Sequence, residues 1–241
     1  MQYRCLILPR LKDEMFNEVD LGKEYELLKQ GKKVQKVSAV TKTAETEVGE
    51  MKEIGTQEEL LDYVKNKYHT KYTIGGYLED RSKLWSGFEK SQKMVHLGID
   101  INNLLVGEPV CIPTDAIVVH VMRDISGLNG WGGRLIFKMK TPYKDAEYLL
   151  YGHLNHELPE VGTIFKAGDV VGHLGNSNEN GGWFVHLHVQ LIKQAMIDQY
   201  IDDLKYIDGY LLDSDGNTKA SDISSDPTFL ICQKYTSSDE L

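Results

Sequence analysis

The sequence predicts an α+β fold, in which a mainly antiparallel, sandwich-like β-sheet core carries a partly helical N-terminal extension. Between about residues 90 and 193, short apolar runs alternate with glycine-containing and polar turns, a spacing typical of antiparallel sheets. Upstream of these runs, apolar residues recur with the helical rather than the strand period. We therefore expect a helical or mixed extension at residues 1–85, a β-rich domain at 86–235 and a disordered tail at 236–241.

The extension begins with an apolar run in residues 1–10, which we interpret as an edge strand ended by Pro9. Residues 14–30 carry an imperfect helical stripe, and residues 34–50 are interpreted as a hairpin or a loose loop. The clearest helix follows Thr56, which opens a capping box and precedes apolar residues at helical spacing. These elements hold no cluster of metal-ligand residues. We therefore expect the extension to act as a scaffold for the core. The alternative is that it shapes one wall of an active-site groove.

The β-rich part is predicted from apolar runs that glycine and polar turns separate. Downstream, residues 193–206 have a helical stripe, and residues 211–225 are polar and expected to form a loop. Within that loop, residues 213–217 begin like a calcium loop, but Ser224 stands where the required glutamate would be, so a hairpin turn is expected. The predicted strands lie at residues 110–113, 116–122, 134–139, 147–151 and 170–174.

Composition argues against several classes of function. The 241 residues carry a formal net charge of −9, which argues against a general nucleic-acid binder. No apolar run approaches the roughly 20 residues of a transmembrane helix, and the N-terminal run is too short for a secretory signal. We therefore expect a cytoplasmic location for the chain as given, or an extracellular or periplasmic one if it is exported by another route. The three cysteines are far apart in sequence and are expected to be buried free thiols.

Five histidine and aspartate side chains lie in three short apolar segments flanked by glycines: His96-Leu-Gly-Ile-Asp100, Gly152-His153-Leu154 and His186-Leu-His188. Side chains of a strand alternate between faces, so His186 and His188 share a face about 6.6 Å apart along the strand. His96 and Asp100 are also in phase, but a straight strand would separate them by about 13 Å. Gly98 permits the bend that would bring them together.

The residue types of these segments are those of a zinc site. A catalytic zinc needs three protein ligands from His, Asp or Glu, plus an open position for water. The first segment offers one histidine and one aspartate, and the third offers one more histidine. Two histidines are then left for acid–base chemistry. We therefore expect Zn²⁺ as the cofactor, and the pattern alone leaves open which histidine has which role.

The three segments resemble the signature segments of the lysostaphin/LytM-type zinc metalloendopeptidases, which cut the peptide cross-links of bacterial cell walls. The resemblance implies that residues 86–235 form a zinc metallopeptidase-like domain. It implies catalytic roles for His153 and His186 and zinc ligation by His96, Asp100 and His188. The implied function is zinc-dependent hydrolysis of peptide or amide bonds, with a peptide or peptidoglycan-like substrate.

The residues between Gly175 and His186 depart from the short turn, rich in glycine and Ser/Thr, that this family usually has. Together with the segment Gly75–Arg81, they resemble a divergent branch in which such a domain is fused to aminotransferase and phosphotransferase modules. Two alternatives therefore stay open: an intracellular zinc hydrolase acting on a substrate other than peptidoglycan, and a zinc-retaining regulatory or binding module without turnover. Tyr151 and Trp183 flank the site and are expected either to line the substrate groove or to pack in the core.

Overall fold

The computed structural model describes residues 2–40, 57–82, 84, 93–125, 130–180, 184–213 and 218–234. Its strands are β1 (Gln2–Cys5), β2 (Phe16–Glu18), β3 (Tyr72–Gly75), β4 (Lys93–His96), β5 (Ile99–Asn102), β6 (Pro109–Cys111), β7 (Ala116–Arg123), β8 (Gly133–Tyr143), β9 (Ala146–Leu154), β10 (Ile164–Phe165), β11 (Val170–His173), β12 (His186–Ile192), β13 (Tyr210–Asp213), β14 (Ser224–Ser225) and β15 (Cys232–Lys234). Its helices are α1 (Leu21–Val40), α2 (Gln57–Tyr68), α3 (Gln194–Gln199), α4 (Ala220–Ile223) and α5 (Thr228–Ile231).

One long sheet dominates the fold. Its strands follow the order β10-β7-β8-β9-β12-β5-β3-β2-β1-β15, and β14 pairs with β12. Of the described strand pairs, only β2 with β3 is parallel. Two small sheets, β6 with β11 and β4 with β13, complete the strand pairing of the described residues. The predicted α+β class with a mainly antiparallel core is confirmed, and the five strands predicted from apolar runs are present as β6, β7, β8, β9 and β11.

Alternating side chains divide the buried residues between the two faces of the long sheet. On β9, Leu149 and Tyr151 belong to the larger hydrophobic cluster, to which β6 and β11 also contribute. Tyr148 and Leu150 belong to a second cluster, together with Val95 from β4. The two small sheets therefore pack against opposite faces of the long sheet. The histidine and aspartate side chains of the three sequence motifs lie on the face of the second cluster.

The N-terminal segment contributes strands as well as helices. β1 lies between β2 and β15, so the predicted edge position is wrong, because a C-terminal strand covers that edge. The helix predicted from residue 14 begins only at Leu21, after β2. The Asp20 side chain accepts a hydrogen bond from the Lys23 amide at 2.9 Å and so caps the start of α1. The helix then continues through part of the stretch that was expected to form a hairpin or loop.

The helix predicted after the capping box is present as α2, and its Leu60 and Val64 side chains are buried. Thr56 itself lies outside the described residues. β1, β2 and β3 share the long sheet with the core strands, so the extension and the core are joined by strand pairing. A domain division near residue 85 stays a prediction.

The C-terminal part has more regular structure than the sequence predicts. The helix expected at residues 193–206 is limited to α3, because the chain turns and the Asp203 side chain then caps a short 3-10 turn. The loop expected at residues 211–225 is wrong, since the stretch contains β13, α4 and β14, whose strands pair with β4 and β12. The turn expected after Asp213 and the tail at 236–241 lie outside the described residues.

The cysteines agree with their prediction. Cys5, Cys111 and Cys232 are buried free thiols. Cys5 and Cys232 are opposite each other in the pairing of β1 with β15. Among the described helices, none combines the length and the apolar content that a membrane crossing requires.

Candidate active site

The centre of the site is β12, whose side chains alternate between the two faces of the long sheet. His186 and His188 point to one face, while Leu187 and Val189 are fully buried in the larger hydrophobic cluster on the other. β12 pairs with β5 on one side and with β9 on the other. The register with β5 puts Asp100 directly opposite His188. Strand alternation and register therefore bring separate segments of the sequence to one face.

The chain bends between His96 and Asp100, as the sequence predicts. β4 ends at His96, and β5 begins beyond the bend in a different sheet. A side chain at Gly98 would meet a carbonyl oxygen of β12 and would lie 2.8 Å from Cε1 of His188, so only glycine fits there. The bend brings Nε2 of His96 to 3.5 Å from Oδ1 of Asp100.

Three donor atoms converge at this bend: Nε2 of His96, Nδ1 of His188 and Oδ1 of Asp100. The His188 nitrogen lies 3.0 Å from each of the other two atoms. Four ligands around a tetrahedral zinc, at bond lengths of about 2.0–2.2 Å, lie roughly 3.3–3.6 Å apart. The three observed separations, 3.0, 3.0 and 3.5 Å, are close to three corners of such a tetrahedron.

The two imidazoles are held from behind by further hydrogen bonds. Nδ1 of His96 donates to the Gly76 carbonyl oxygen at 2.9 Å, and Nε2 of His188 donates to Oε1 of Gln190 at 3.3 Å. These tautomers are assigned from the hydrogen-bond partners, and they leave two nitrogen lone pairs facing each other. Lone pairs 3.0 Å apart repel unless a cation or a proton lies beside them. Histidines that bind metals typically have such outer hydrogen bonds.

Buried charges set the protonation of this group. Burial, and next the charge of Arg81, lower the pKa of His96 to about 4. Burial alone would raise the pKa of Asp100, but Arg81 and His96 hold it well below its usual range. At neutral pH His96 is therefore a neutral imidazole and Asp100 is a carboxylate. Both can bind a metal ion without first losing a proton, so these donor atoms fit zinc.

His153 and His186 form a pair beside these three residues. Their ring centroids lie 4.1 Å apart, with an angle of 35° between the ring planes. His186 is buried, and its Nδ1 donates to the Phe184 carbonyl oxygen at 2.8 Å. His153 keeps part of its surface exposed, but its Nδ1 is buried and has no hydrogen-bond partner among the described residues. Desolvation by the surrounding protein lowers the pKa of both imidazoles.

A β-bulge turns His153 into the site. The pairing of β8 with β9 shifts between Leu135–Tyr151 and Gly133–Leu154, so β9 contains one residue more than β8 there. His153 has a φ of 65°, a left-handed conformation that costs a non-glycine residue of order 1 kcal/mol. Regular alternation from Tyr151 would direct His153 toward the larger hydrophobic cluster. The bulge reverses that direction and brings the ring to His186.

Trp131 connects the two groups of residues. Its ring stacks on His153 with centroids 5.7 Å apart, and its edge contacts His188 with centroids 5.3 Å apart. A Cβ at Gly152 would lie 2.6 Å from the Trp131 ring, so this packing requires glycine. The guanidinium of Arg134 lies 5.0 Å from the ring centroid of Trp131. Trp131 therefore fixes the planes of two site histidines at once.

A further part of the site comes from a segment for which the sequence analysis predicts no role. Tyr210 on β13 has its ring centroid 5.3 Å from that of His96. The carbonyl of the preceding residue, Gly209, accepts a hydrogen bond from the Leu97 amide at 2.8 Å. These residues are near the site because β13 pairs with β4. No local signal in the sequence indicates that pairing.

All five side chains predicted from the three motifs lie together on this face. Tyr151 does not, because it packs in the larger hydrophobic cluster, where its hydroxyl donates to the Cys111 carbonyl oxygen at 3.0 Å. Its groove alternative is therefore wrong, and Trp183 lies outside the described residues. Three residues hold the donor atoms from behind, and the sequence analysis assigns none of them this role: Gly76 and Arg81, which lie in the segment Gly75–Arg81, and Gln190.

No family model and no curated protein matches the chain. Among solved structures, it is similar to the catalytic domain of lysostaphin from Staphylococcus simulans, at 20% identity over 70% of this chain and 96% of that chain, with a TM-score of 0.41. It is similar to a mutant catalytic domain of the prophage-encoded M23 protein EnpA from Enterococcus faecalis, at 24% identity over 41% and 68% of the two chains, with a TM-score of 0.34. A zinc-containing peptidase from Vibrio cholerae matches at 24% identity over 40% of this chain and only 26% of that chain, with a TM-score of 0.32.

One of these three structures is a domain of lysostaphin, for which the type that the sequence motifs resemble is named. Their TM-scores are below 0.5 and their identities below 25%, so none of them bears on the function of this chain. We therefore infer function from the chain's own residues.

Proposed function

We propose that the chain is a zinc-dependent metallopeptidase that hydrolyses peptide or amide bonds, with peptidoglycan-like cross-links as its substrate. The observation that carries this proposal is the convergence of donor atoms from His96, Asp100 and His188 within 3.0–3.5 Å, beside a second pair of histidines. Catalytic zinc sites use three protein ligands of these types and leave one position for water. The substrate class is supported by the resemblance of the three motifs to the lysostaphin/LytM type.

His96, Asp100 and His188 would hold the zinc ion. When bound, the ion would lower the pKa of a coordinated water to about 7 and polarise the scissile carbonyl. The Asp100 carboxylate would offset one of the two positive charges of the ion. The hydrogen bonds to Gly76 and Gln190 keep the two imidazoles oriented toward the same point.

His186 is the proposed general base, acting through Nε2. Its Nδ1–H donates to the Phe184 carbonyl, so the lone pair is on Nε2. The lowered pKa of His186 keeps this nitrogen unprotonated at neutral pH. Nε2 accepts the proton of the attacking water and returns it to the leaving amine.

His153 is the proposed hydrogen-bond donor to the substrate. Its Nδ1 is buried and has no partner in the part of the chain that the structure describes, and the tautomer with the proton on Nε2 avoids an unpaired buried N–H. The Nε2–H group then stabilises the substrate oxygen on which negative charge develops. Stacking on Trp131 orients the ring for this role.

The test is hydrolysis of purified peptidoglycan, and of a panel of glycyl and D-amino-acid peptides, by the wild-type protein and by His186→Ala. We expect the wild type to bind about one zinc per chain and to cleave. His186→Ala should keep the zinc while kcat falls by about 10²–10⁴-fold. The control is His69→Ala, which changes an exposed histidine outside the site and should leave zinc content and kcat unchanged.

Other outcomes separate the alternatives. Zinc binding with no cleavage of any tested substrate by the wild type would contradict a peptidoglycan peptidase and favour the regulatory module or a substrate other than peptidoglycan. Cleavage of small amide substrates without cleavage of peptidoglycan would favour a different substrate. A wild-type protein that binds no zinc would refute the site itself.

A further inference from the structure

A chain of buried charges leads from the candidate zinc site into the N-terminal segment. Nη1 of Arg81 donates to Oδ2 of Asp100, and the Arg81 side chain is only 3% exposed. On the other side of the guanidinium, Nε and Nη2 donate to Oε2 of Glu79 at 3.1 and 2.9 Å. Oε1 of Glu79 accepts the Gly22 amide hydrogen at 2.5 Å, in the first turn of α1. Arg81 therefore holds Asp100, Glu79 holds Arg81, and the backbone of α1 holds Glu79.

We propose that Arg81 is a positioning residue that presents Asp100 to the metal through a single oxygen. This inference rests on the proposed function, because it concerns the same zinc site. The Asp100 carboxylate has two oxygens: Oδ1 faces His96 and His188, while Oδ2 is occupied by Arg81. With Oδ2 engaged, Asp100 offers one ligand atom, and the remaining position is left for water.

Glu79 gives Arg81 its orientation. A guanidinium is a rigid planar fork, so fixing Nε and Nη2 on one carboxylate also fixes the direction of Nη1. Glu79 is itself 6% exposed and accepts from the backbone of α1. A Cβ at Gly22 would lie 2.6 Å from the Asp80 carbonyl oxygen, so glycine permits this close approach. The N-terminal segment thereby acts on the site through Glu79, although it supplies none of the three donor atoms.

Charge balance supports the arrangement. Glu79 and Asp100 are two buried carboxylates around one buried guanidinium, which leaves one negative charge in the group. Burying an unpaired charge costs several kcal/mol, and a bound cation would offset the remaining one. A purely structural ion pair would stabilise the fold equally with or without metal. A positioning role predicts a loss of metal affinity that is separate from any loss of fold stability.

The experiment compares Arg81→Gln, Arg81→Lys and Glu79→Gln with the wild-type protein. Zinc affinity is measured by competition with a chelator, the coordination of bound Co²⁺ by its visible absorption, and the stability of the metal-free protein by thermal unfolding. The control is Lys67→Gln, which also removes a cation from a buried carboxylate of the N-terminal segment. That carboxylate is Glu24, which is 3% exposed and whose Oε2 lies 2.7 Å from Nζ of Lys67. Lys67→Gln should lower the unfolding temperature without changing zinc affinity.

We expect Arg81→Gln to weaken zinc binding by about 10–100-fold, as is typical of residues that orient a metal ligand. Its Co²⁺ absorption should weaken, because a carboxylate that binds through both oxygens raises the coordination number. Arg81→Lys should bind zinc more tightly than Arg81→Gln, since lysine keeps the positive charge but lacks the planar guanidinium. Glu79→Gln should give a smaller loss than Arg81→Gln.

Unchanged or tighter zinc binding in a folded Arg81→Gln protein, with the wild-type Co²⁺ spectrum, would overturn the inference while leaving the zinc site intact. If Arg81→Gln does not fold, Arg81→Lys and Glu79→Gln decide: wild-type affinity in both overturns the inference. A wild-type protein that binds no zinc would instead refute the proposed function.

Discussion

The three candidate metal ligands differ from the neighbouring His153 in how completely their hydrogen bonds are satisfied. His96 and His188 each have a partner on the ring nitrogen that faces away from the donor set, and Asp100 has Arg81. In the pair, Nδ1 of His153 has no partner within the described residues, and its backbone has a φ of 65°. The first group is held in place, whereas His153 retains strain and unused hydrogen-bonding capacity.

This difference suggests separate functions for the two groups. Donor atoms that must meet one ion are best fixed before it binds, because orientation then costs nothing at the moment of binding. Groups that exchange protons with a substrate need free lone pairs or N–H groups, so incomplete hydrogen bonding suits them. Local strain at functional sites is consistent with that role. Changes to the first group should therefore affect metal binding, and changes to the second should affect turnover.

The largest effect is expected from His188→Ala, because this residue contributes the donor atom nearest to both others. We expect zinc affinity to fall by more than the 10–100-fold typical of outer partners, with hydrolysis reduced to background. Zinc content and hydrolysis rate check the result. The control is His173→Ala, outside the site on β11, which should retain both. Full zinc content in His188→Ala would contradict the ligand assignment.

His153→Ala should separate turnover from metal binding. We expect kcat to fall by about 10²–10⁴-fold, because a donor to the developing oxyanion or a proton carrier is lost. Zinc affinity should stay within a few-fold of wild type, since His153 contributes none of the three donor atoms. Steady-state kinetics and chelator competition on the same preparation give the two values. Loss of zinc in this variant would contradict the proposal that the three ligands bind the metal and the histidine pair serves turnover.

Gly98→Ala should disturb the metal group through the backbone. The new Cβ would lie 2.8 Å from Cε1 of His188, and overpacking of this kind typically costs about 1–3 kcal/mol. We expect a lower free energy of unfolding and about tenfold weaker zinc binding. Gly162→Ala is the matched control: its φ is 91°, but nothing lies within 4 Å of its Cβ position. It should lose stability through backbone strain alone and keep its zinc affinity.

The smallest effect is expected from pH on the metal-free protein. In the unfolded chain His96 gains a proton below about pH 6.5, whereas in the folded protein its pKa is lowered to about 4. The unfolded state therefore binds more protons in this window, and stability falls as pH decreases through it. From pH 7.5 to 5 this residue alone should remove about 2 kcal/mol from the free energy of unfolding.

Urea unfolding of the metal-free protein at the two pH values measures this loss, with His96→Gln for comparison. The variant should lose less stability than the wild type over the same interval. His69→Gln, which changes an exposed histidine, should behave like the wild type. An equal loss in wild type and His96→Gln would show that His96 is not buried in its neutral form.

Much of the site could be predicted because its signals are local. The alternation in His186-Leu-His188 and the glycine between His96 and Asp100 both correspond to features of the structure. The strands at residues 110–174 were found for the same reason, since each apolar run is short and ends at a turn.

What could not be predicted depends on contacts between distant segments. Arg81 reaches Asp100 only because the chain before it pairs with β4, as in the bridge between Asp80 and Val95. Tyr210 reaches His96 through β13, a strand formed largely by residues that were expected to belong to a polar loop. The bulge at His153 is set by the register of β8 against β9, which no periodicity in either strand reveals.

The most direct test of the central claim is a crystal structure of the zinc-loaded protein, with anomalous diffraction recorded at the zinc absorption edge. We predict one anomalous peak about 2.0–2.2 Å from Nε2 of His96, Oδ1 of Asp100 and Nδ1 of His188. Oδ2 of Asp100 should remain bonded to Arg81. A peak bound by other residues, or none at this group, would contradict the account.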